Sequence, residues 1–193
     1  MIAGKNGVTE KTTRNILFGA GTIHRGLKYT EGTGWNFAET CIGATSGGSK
    51  LSIVPEVYDP PIDGADVLVK GLRVKTGEKA TMEINLIELS AEVIAAAAIG
   101  TATDAEMDGY TLIQSKPDIE IGDYWDNIAF VGKMLNNQPV IAILDNALCT
   151  TGFEAEGKAK EGAIGKYTFE CHADPAGNMD KLPWRIFYPK VTE

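Results

Sequence analysis

The chain has 193 residues, a formal net charge of −8 and a pI of about 4.9. That is enough length for one domain with a sizeable core, and the acidic balance argues against a basic nucleic-acid groove. Its three cysteines, Cys41, Cys149 and Cys171, are odd in number and widely spaced, which excludes a disulfide framework and a paired-cysteine metal knuckle.

Charge is unevenly distributed. Residues 1–30 carry five basic side chains against Glu10 alone, whereas residues 101–130 carry seven acidic side chains against Lys116 alone. A basic arm and an acidic middle can attract one another, within one chain or between copies, or face solvent independently. There is no Asn-x-Ser/Thr acceptor and no apolar run near Met1, and the longest apolar stretch, 93–99, is far too short to span a bilayer. The expectation is a protein made in a reducing intracellular compartment, with no membrane partner.

Taken in chain order, residues 1–13 are polar and aperiodic and read as a mobile arm. Residues 15–18 and 21–28 read as short strands around Gly19 and Gly21, and 35–42 as a further strand or a loop edge. Residues 50–54 alternate polar and apolar; Pro55, Pro60, Pro61 and Gly64 then interrupt pairing across a loop of about ten residues. A second strand, 66–75, turns at Thr76-Gly77-Glu78 into a third, 79–89. There Met82, Ile84 and Leu86 lie on one face and Thr81, Glu83 and Asn85 on the other. This predicts a hairpin with one apolar and one wet side and a stiff projecting loop.

A helix is predicted over 91–99. Ser90 can cap its free N–H groups, Glu92 suits the positive end of the dipole, Leu89 and Ile94 take the staple positions, and Gly100 is placed to end it. Strands resume at 110–114 and 127–133, then at 140–144 after a turn at 136–139. Over 165–173, Tyr167, Phe169 and Cys171 point one way and Lys166, Thr168, Glu170 and His172 the other. A turn at 174–177 leads to a final aromatic strand, 182–189, bracketed by Pro183 and Pro189. Eight or nine strands with one helix predict a mainly β fold: a two-sheet sandwich or barrel with a flanking helix, in a single domain.

Catalytic motifs are missing from this pattern. Gly19-Ala20-Gly21 resembles the start of a dinucleotide fingerprint, but His24 stands where the third glycine belongs and no long helix follows, so a glycine bulge between strands is expected. Residues 43–50 are glycine-rich yet lack the Gly-Lys-Ser/Thr ending of a phosphate loop. The two histidines, His24 and His172, form no metal-binding pair, and His172 reads as an exposed strand residue. No serine sits in a nucleophile elbow, and Cys149 and Cys171 lie in apolar surroundings where thiols are inert. No catalytic, cofactor-binding or metal-binding residue is assigned, and no cofactor is expected.

Several segments together carry a family resemblance. They are Gly43-Ala44-Thr45 with Gly47-Gly48, Val54-Pro55-Glu56, Val69-Lys70-Gly71-Leu72, and the pattern Ala80-x-Met82-x-Ile84-Asn85-Leu86-x-Glu88-Leu89. Later come Asp126-Asn127-Ile128-Ala129-Phe130-Val131-Gly132, Phe169-Glu170-Cys171-His172-Ala173-Asp174-Pro175 and Pro183-Trp184-Arg185-Ile186-Phe187-Tyr188-Pro189. In order and spacing, over residues 17–189, they resemble the major tail tube protein of long-tailed bacteriophages and prophages. Residues 101–123 fall outside the resemblance and read as an inserted loop.

What the resemblance implies is a two-sheet domain whose copies form a hexameric ring, with rings stacking into a tail tube. The tube holds a tape-measure protein during assembly, meets tail-terminator and tail-tip proteins at its ends, and later passes DNA without binding it specifically. The location implied is the virion tail, after synthesis in the bacterial cytoplasm. On this view the wet hairpin residues Thr81, Glu83 and Asn85 are candidates to line the lumen. The projecting Lys5, Lys11 and Arg14 of the arm, with Glu56, Tyr58 and Asp59 at the loop, are candidates for contacts between rings. The alternatives are a tube subunit of a phage-tail-like bacteriocin or secretion machine, a monomeric carbohydrate-binding sandwich using Trp35, Trp125, Trp184 and Tyr188, and a hydrolytic β-enzyme.

Overall fold

The structure, a computed structural model, describes residue 12 and residues 16–64, 66–155 and 162–190. From residue 16 onward the described residues begin with β1 (Leu17–Arg25), the short pair β2 (Tyr29–Thr30) and β3 (Gly34–Trp35), and a one-turn helix α1 (Phe37–Thr40). A long hairpin, β4 (Thr45–Tyr58) and β5 (Val74–Leu86), precedes helix α2 (Ala91–Ala98). Then come β6 (Gly100–Asp104), β7 (Thr111–Ser115), β8 (Trp125–Met134), β9 (Pro139–Cys149), β10 (Gly165–Cys171) and β11 (Trp184–Phe187).

The fold is mainly β and its pairings are antiparallel. One seven-stranded sheet runs β1-β8-β9-β10-β5-β4, with β11 added beside β9. The sheet is open, but it curls far enough that its edge strands β1 and β4 touch without pairing. Strand β9 turns the corner. Its first half pairs with β11 through Leu144↔Trp184, and its second half pairs with β10 through Cys149↔Phe169. Between the halves Asn146 adopts φ 49, a left-handed conformation that asparagine tolerates better than most residues.

Period-two burial explains the core. Ala80, Met82, Ile84 and Leu86 of β5 and Tyr167 and Phe169 of β10 are sealed on one face, joined by Ile23, Trp125, Ile128 and Leu144. Val93 and Ala97 of α2, four residues apart and so on one helix face, close onto this cluster. A smaller cluster, Leu27, Ala129, Ile141 and Ile143 with Trp35 and Phe37 against it, covers another part of the β8–β9 pair. The helix is tied to β1 by an ion pair between Glu92 and Arg25, whose guanidinium lies 4.6 Å from the centre of the Trp125 ring.

Several expectations are met closely. The Ser90 hydroxyl accepts the Val93 N–H at 3.3 Å, and α2 starts at the predicted residue. Strand β10 matches the predicted alternation, and β8 and β9 contain the predicted strands, with Pro139 at the first position of β9 where no N–H is required. The β1 register breaks between Phe18 and Thr22, at the expected glycine bulge. There Gly21 has φ +70, and a Cβ on it would sit 2.3 Å from Phe130 Cε2.

Others are corrected. The predicted strand 66–75 and turn at 76–78 do not form: β4 pairs directly with β5, Glu56 faces Gly77, and residues 59–73 make the loop. Pro55 stands inside β4 because β4 is an edge strand, where a missing N–H costs no ladder bond. Residues 35–42 hold α1 rather than a strand, with the Thr40 hydroxyl donating back to Asn36 O at 2.9 Å. Gly100 does not cap α2; Ile99 takes the left-handed position at φ 48, and its N–H reaches Ala95 O and Ala96 O. Gly100 is needed instead for close approach, since a Cβ there would lie 2.7 Å from Gln114 O. Residues 101–123 are no plain loop: β7 meets the strand expected at 110–114 and pairs with β6, and a 3-10 turn follows at Ile121–Asp123. The final strand is limited to Trp184–Phe187. The arm 1–13 lies outside the described residues but for residue 12.

Candidate functional site

The β4–β5 hairpin continues well past the core. Beyond Ile53 and Ala80 the alternation of buried and exposed residues stops, because no second layer covers either face. On the stem Val54, Val57, Tyr58 and Val74 are about half exposed. In the loop Ile62, Val69 and Leu72 are exposed, and Val67 and Leu68 are 78% and 73% exposed. With Pro60 and Pro61 these loop residues enclose a hollow of about 300 Å³. Monomeric soluble proteins rarely leave contiguous apolar surface of this kind uncovered.

Polar contacts hold the arm in shape. At the loop base Arg73 donates from Nε to Asp59 Oδ1 at 2.8 Å and from Nη2 to Asp59 Oδ2 at 2.7 Å, the two-pronged geometry that suits guanidinium and carboxylate. The hydrogen bond from Arg73 holds the Asp59 carboxyl below its usual range, and the Arg73 guanidinium is raised in turn. Where the stem meets the body, Glu78 accepts from Lys75 Nζ at 2.5 Å and from the Leu182 N–H at 3.1 Å. These bonds, that from Lys75 first, lower the Glu78 carboxyl. The arm is therefore anchored to the segment leading into β11.

The predicted residues fall into three places. Thr81, Glu83 and Asn85 share the outer face of β5 with Lys50 and Ser52 of β4 and Lys166, Thr168 and Glu170 of β10. Lys50 pairs with Glu83 at 2.8 Å and Lys79 with Glu170 at 3.2 Å, while the Asn85 amide donates to Gly48 O at 2.9 Å. Glu56, Tyr58 and Asp59 sit together at the outer end of β4, where the arm begins. Lys5, Lys11 and Arg14 lie outside the described residues. The exposed loop residues Val67 and Leu68 were not singled out by the sequence, and Leu72 entered only as part of the resembling segment 69–72. Their signal was a run of adjacent apolar residues between proline and glycine, where no alternation could bury one face.

Both histidines and two of the three cysteines are held in structural surroundings, while Cys41 is exposed. His24 is buried, with Nε2 at 2.8 Å from the Thr22 hydroxyl and Nδ1 at 3.0 Å from that of Thr40, and burial lowers its pKa. His172 is half-buried rather than exposed, its Nδ1 2.9 Å from Glu170 O and its ring edge-on to Tyr124. Cys149 and Cys171 are buried, and burial pushes the Cys171 thiol up to about 12, which keeps it protonated and unreactive. Among the described residues no group of three or more His, Cys, Asp or Glu could hold a metal ion. Among them, too, no helix is long and apolar enough to cross a membrane. Trp125 is buried against Phe169 and Trp184 packs on the core, so the four aromatics considered for carbohydrate stacking do not form one platform. No family model and no curated protein matches the chain.

Proposed function

We propose that this chain is a structural subunit that assembles with copies of itself, as the tail tube of a long-tailed bacteriophage: hexameric rings stacked around a channel for DNA. The observation that carries this reading is the uncovered apolar arm. Each fully buried Val, Leu or Ile contributes about 1.5–3 kcal/mol. Several together are on the scale of the roughly 4–15 kcal/mol that association costs in lost freedom. An arm on one copy that docks elsewhere on the next makes a head-to-tail contact, which closes into a ring in one direction and grows a filament in the other. In this assembly the curled sheet acts as a barrel-like wall, and Glu56, Tyr58 and Asp59 hold the arm toward the adjoining ring.

The wet face of β4, β5 and β10 supports Thr81, Glu83 and Asn85 as the lumen wall. Its glutamates are matched by lysines across the strands, so the surface is hydrated and close to neutral. Phosphate affinity grows with each uncompensated cation, and a surface with its charges paired would let duplex DNA slide. Tape-measure, terminator and tip proteins would then be partners in the virion tail. A tube subunit of a tail-like bacteriocin or secretion machine shares this geometry and differs in its partners.

Negative-stain microscopy with light scattering, across concentration, tests the reading on the full chain and on Val67→Asp/Leu68→Asp. The expected result is rings or tubes with a central hole for the wild type, and a monomer with an unchanged circular dichroism spectrum for the variant. Identical assemblies from the variant would remove the arm from the contact. A wild type that scatters as a monomer at every concentration, as the variant does, would count against the tube.

A further inference from the structure

A second surface, away from the arm, has the features of a ligand site. A hollow of about 620 Å³ opens where β2 and β3 approach β9 and β11, within the usual range for small-molecule pockets. Its two walls differ in kind.

One wall is aromatic and comes from three separate strands. Tyr29 and Trp35 are register partners in the β2–β3 pair, their ring centres 5.4 Å apart and edge-to-face; Phe187 of β11 meets the same indole at 5.1 Å. Trp35 is thus fixed from both sides, while Tyr29 remains 61% exposed. The other wall is hydrogen-bonding. Arg185 Nη2 donates to Asp145 Oδ1 at 2.7 Å, and Asp126 lies 3.9 Å from Lys28 Nζ. Burial raises the Asp145 carboxyl despite the arginine beside it.

The backbone beneath that wall is specialised. Asn146, next to Asp145, is the residue held at φ 49, and its amide donates to His172 O at 3.1 Å. The floor is set by Asn127, which is buried and bonds both the N–H of Leu27 at 2.9 Å and its carbonyl at 3.2 Å.

We infer that this hollow binds one pyranose residue of a saccharide. A pyranose has a flat C–H face and a rim of hydroxyls. The C–H face matches the exposed Tyr29 ring. Two neighbouring hydroxyls match the Asp145–Arg185 pair, one donating to the carboxylate and the other accepting from the guanidinium. Asp126 and Asp145 are each matched by a cation, Lys28 and Arg185, so the wall carries no excess charge to draw an ion, and a purely apolar ligand would leave it desolvated without partners.

The test titrates the full chain with the methyl glycosides of glucose, galactose, rhamnose and N-acetylglucosamine, read by tryptophan fluorescence and calorimetry. Expected is saturable binding of at least one glycoside with a Kd in the millimolar range, weakened roughly tenfold by Tyr29→Ala, a surface change. Asp145→Asn is expected to weaken binding likewise, while Glu106→Gln on the distant β6–β7 ribbon leaves it unchanged. Absence of saturation with all four glycosides overturns the proposal, as does unaltered binding by Tyr29→Ala. A Tyr29→Ala variant that changes particle size without any glycoside response also overturns it, by making the hollow a contact between copies.

Discussion

One strand, β5, passes through two environments, and the contrast separates what folds this chain from what it presents. From Ala80 to Leu86 every second side chain is fully buried and its neighbours face water. Outward from Glu78 the same strand keeps its pairing with β4 but loses its cover, and Val74 is 51% exposed. Backbone pairing alone therefore extends the hairpin, whereas packing ends near Glu78, whose carboxylate takes the Leu182 N–H. Body substitutions should cost stability, and arm substitutions should cost association while leaving stability in place.

The largest effect is expected deepest in the body. Phe169 is fully buried with its ring centre 4.6 Å from that of Trp125. Phe169→Ala should lower unfolding free energy by about 3–5 kcal/mol in a denaturant titration; a loss no larger than that of an arm substitution would erase the contrast. Next comes Gly21→Ala. The new Cβ would press on the Phe130 ring and stand 2.9 Å from Val131 O at a backbone φ of +70. Strain and overpacking together predict a loss of about 2–4 kcal/mol by the same measurement, and a variant as stable as wild type would show that the bulge relaxes freely.

The two regions also differ in how legible they were. Wherever one face was buried, as in β5 from Ala80 inward and in β10, alternation located the strand and its inward residues. The cap at Ser90 was equally readable, because it depends on residues three apart. The arm defeated the same rule. Val67-Leu68-Val69 looks like strand material, yet no layer lies over it, and Pro55 looks like a stop although an edge strand accommodates it. Gly100 was misassigned because its role is set by Gln114, across the β6–β7 pair. The hollow beside β2 and β3 was legible only in Trp35, offered by the sequence as a stacking residue: Tyr29 meets it in a local strand pair, but Asp145 and Phe187 reach it through pairings far apart in sequence.

A smaller effect is expected at the helix that closes the core. Ser90→Ala removes the acceptor for the Val93 N–H. It should cost about 1 kcal/mol, with amide exchange quickening first at Val93. An unchanged midpoint would mean that the ion pair of Glu92 with Arg25 and the packing of Val93 and Ala97 hold α2 without its cap.

The smallest effect on global stability, and the sharpest test of the contrast, lies at the base of the arm. Arg73 and Asp59 are on the surface, where solvent screens their attraction, so Arg73→Ala should leave the unfolding midpoint of the body in place. Locally it removes both hydrogen bonds that close the loop. Hydrogen exchange over residues 59–73 should therefore quicken in the variant while β5 from Ala80 onward and β10 stay protected. The pH dependence has a fixed sign. The folded-state carboxyl of Asp59 is lowered from 3.8, chiefly by its hydrogen bond from Arg73, so the tether is complete at pH values above 3.8 and is lost as pH falls through the lowered value. Acidification of the wild type should then reproduce the loop exchange of Arg73→Ala. Were exchange to quicken equally in β10, arm and body would be one cooperative unit, and the division drawn at Glu78 would fail.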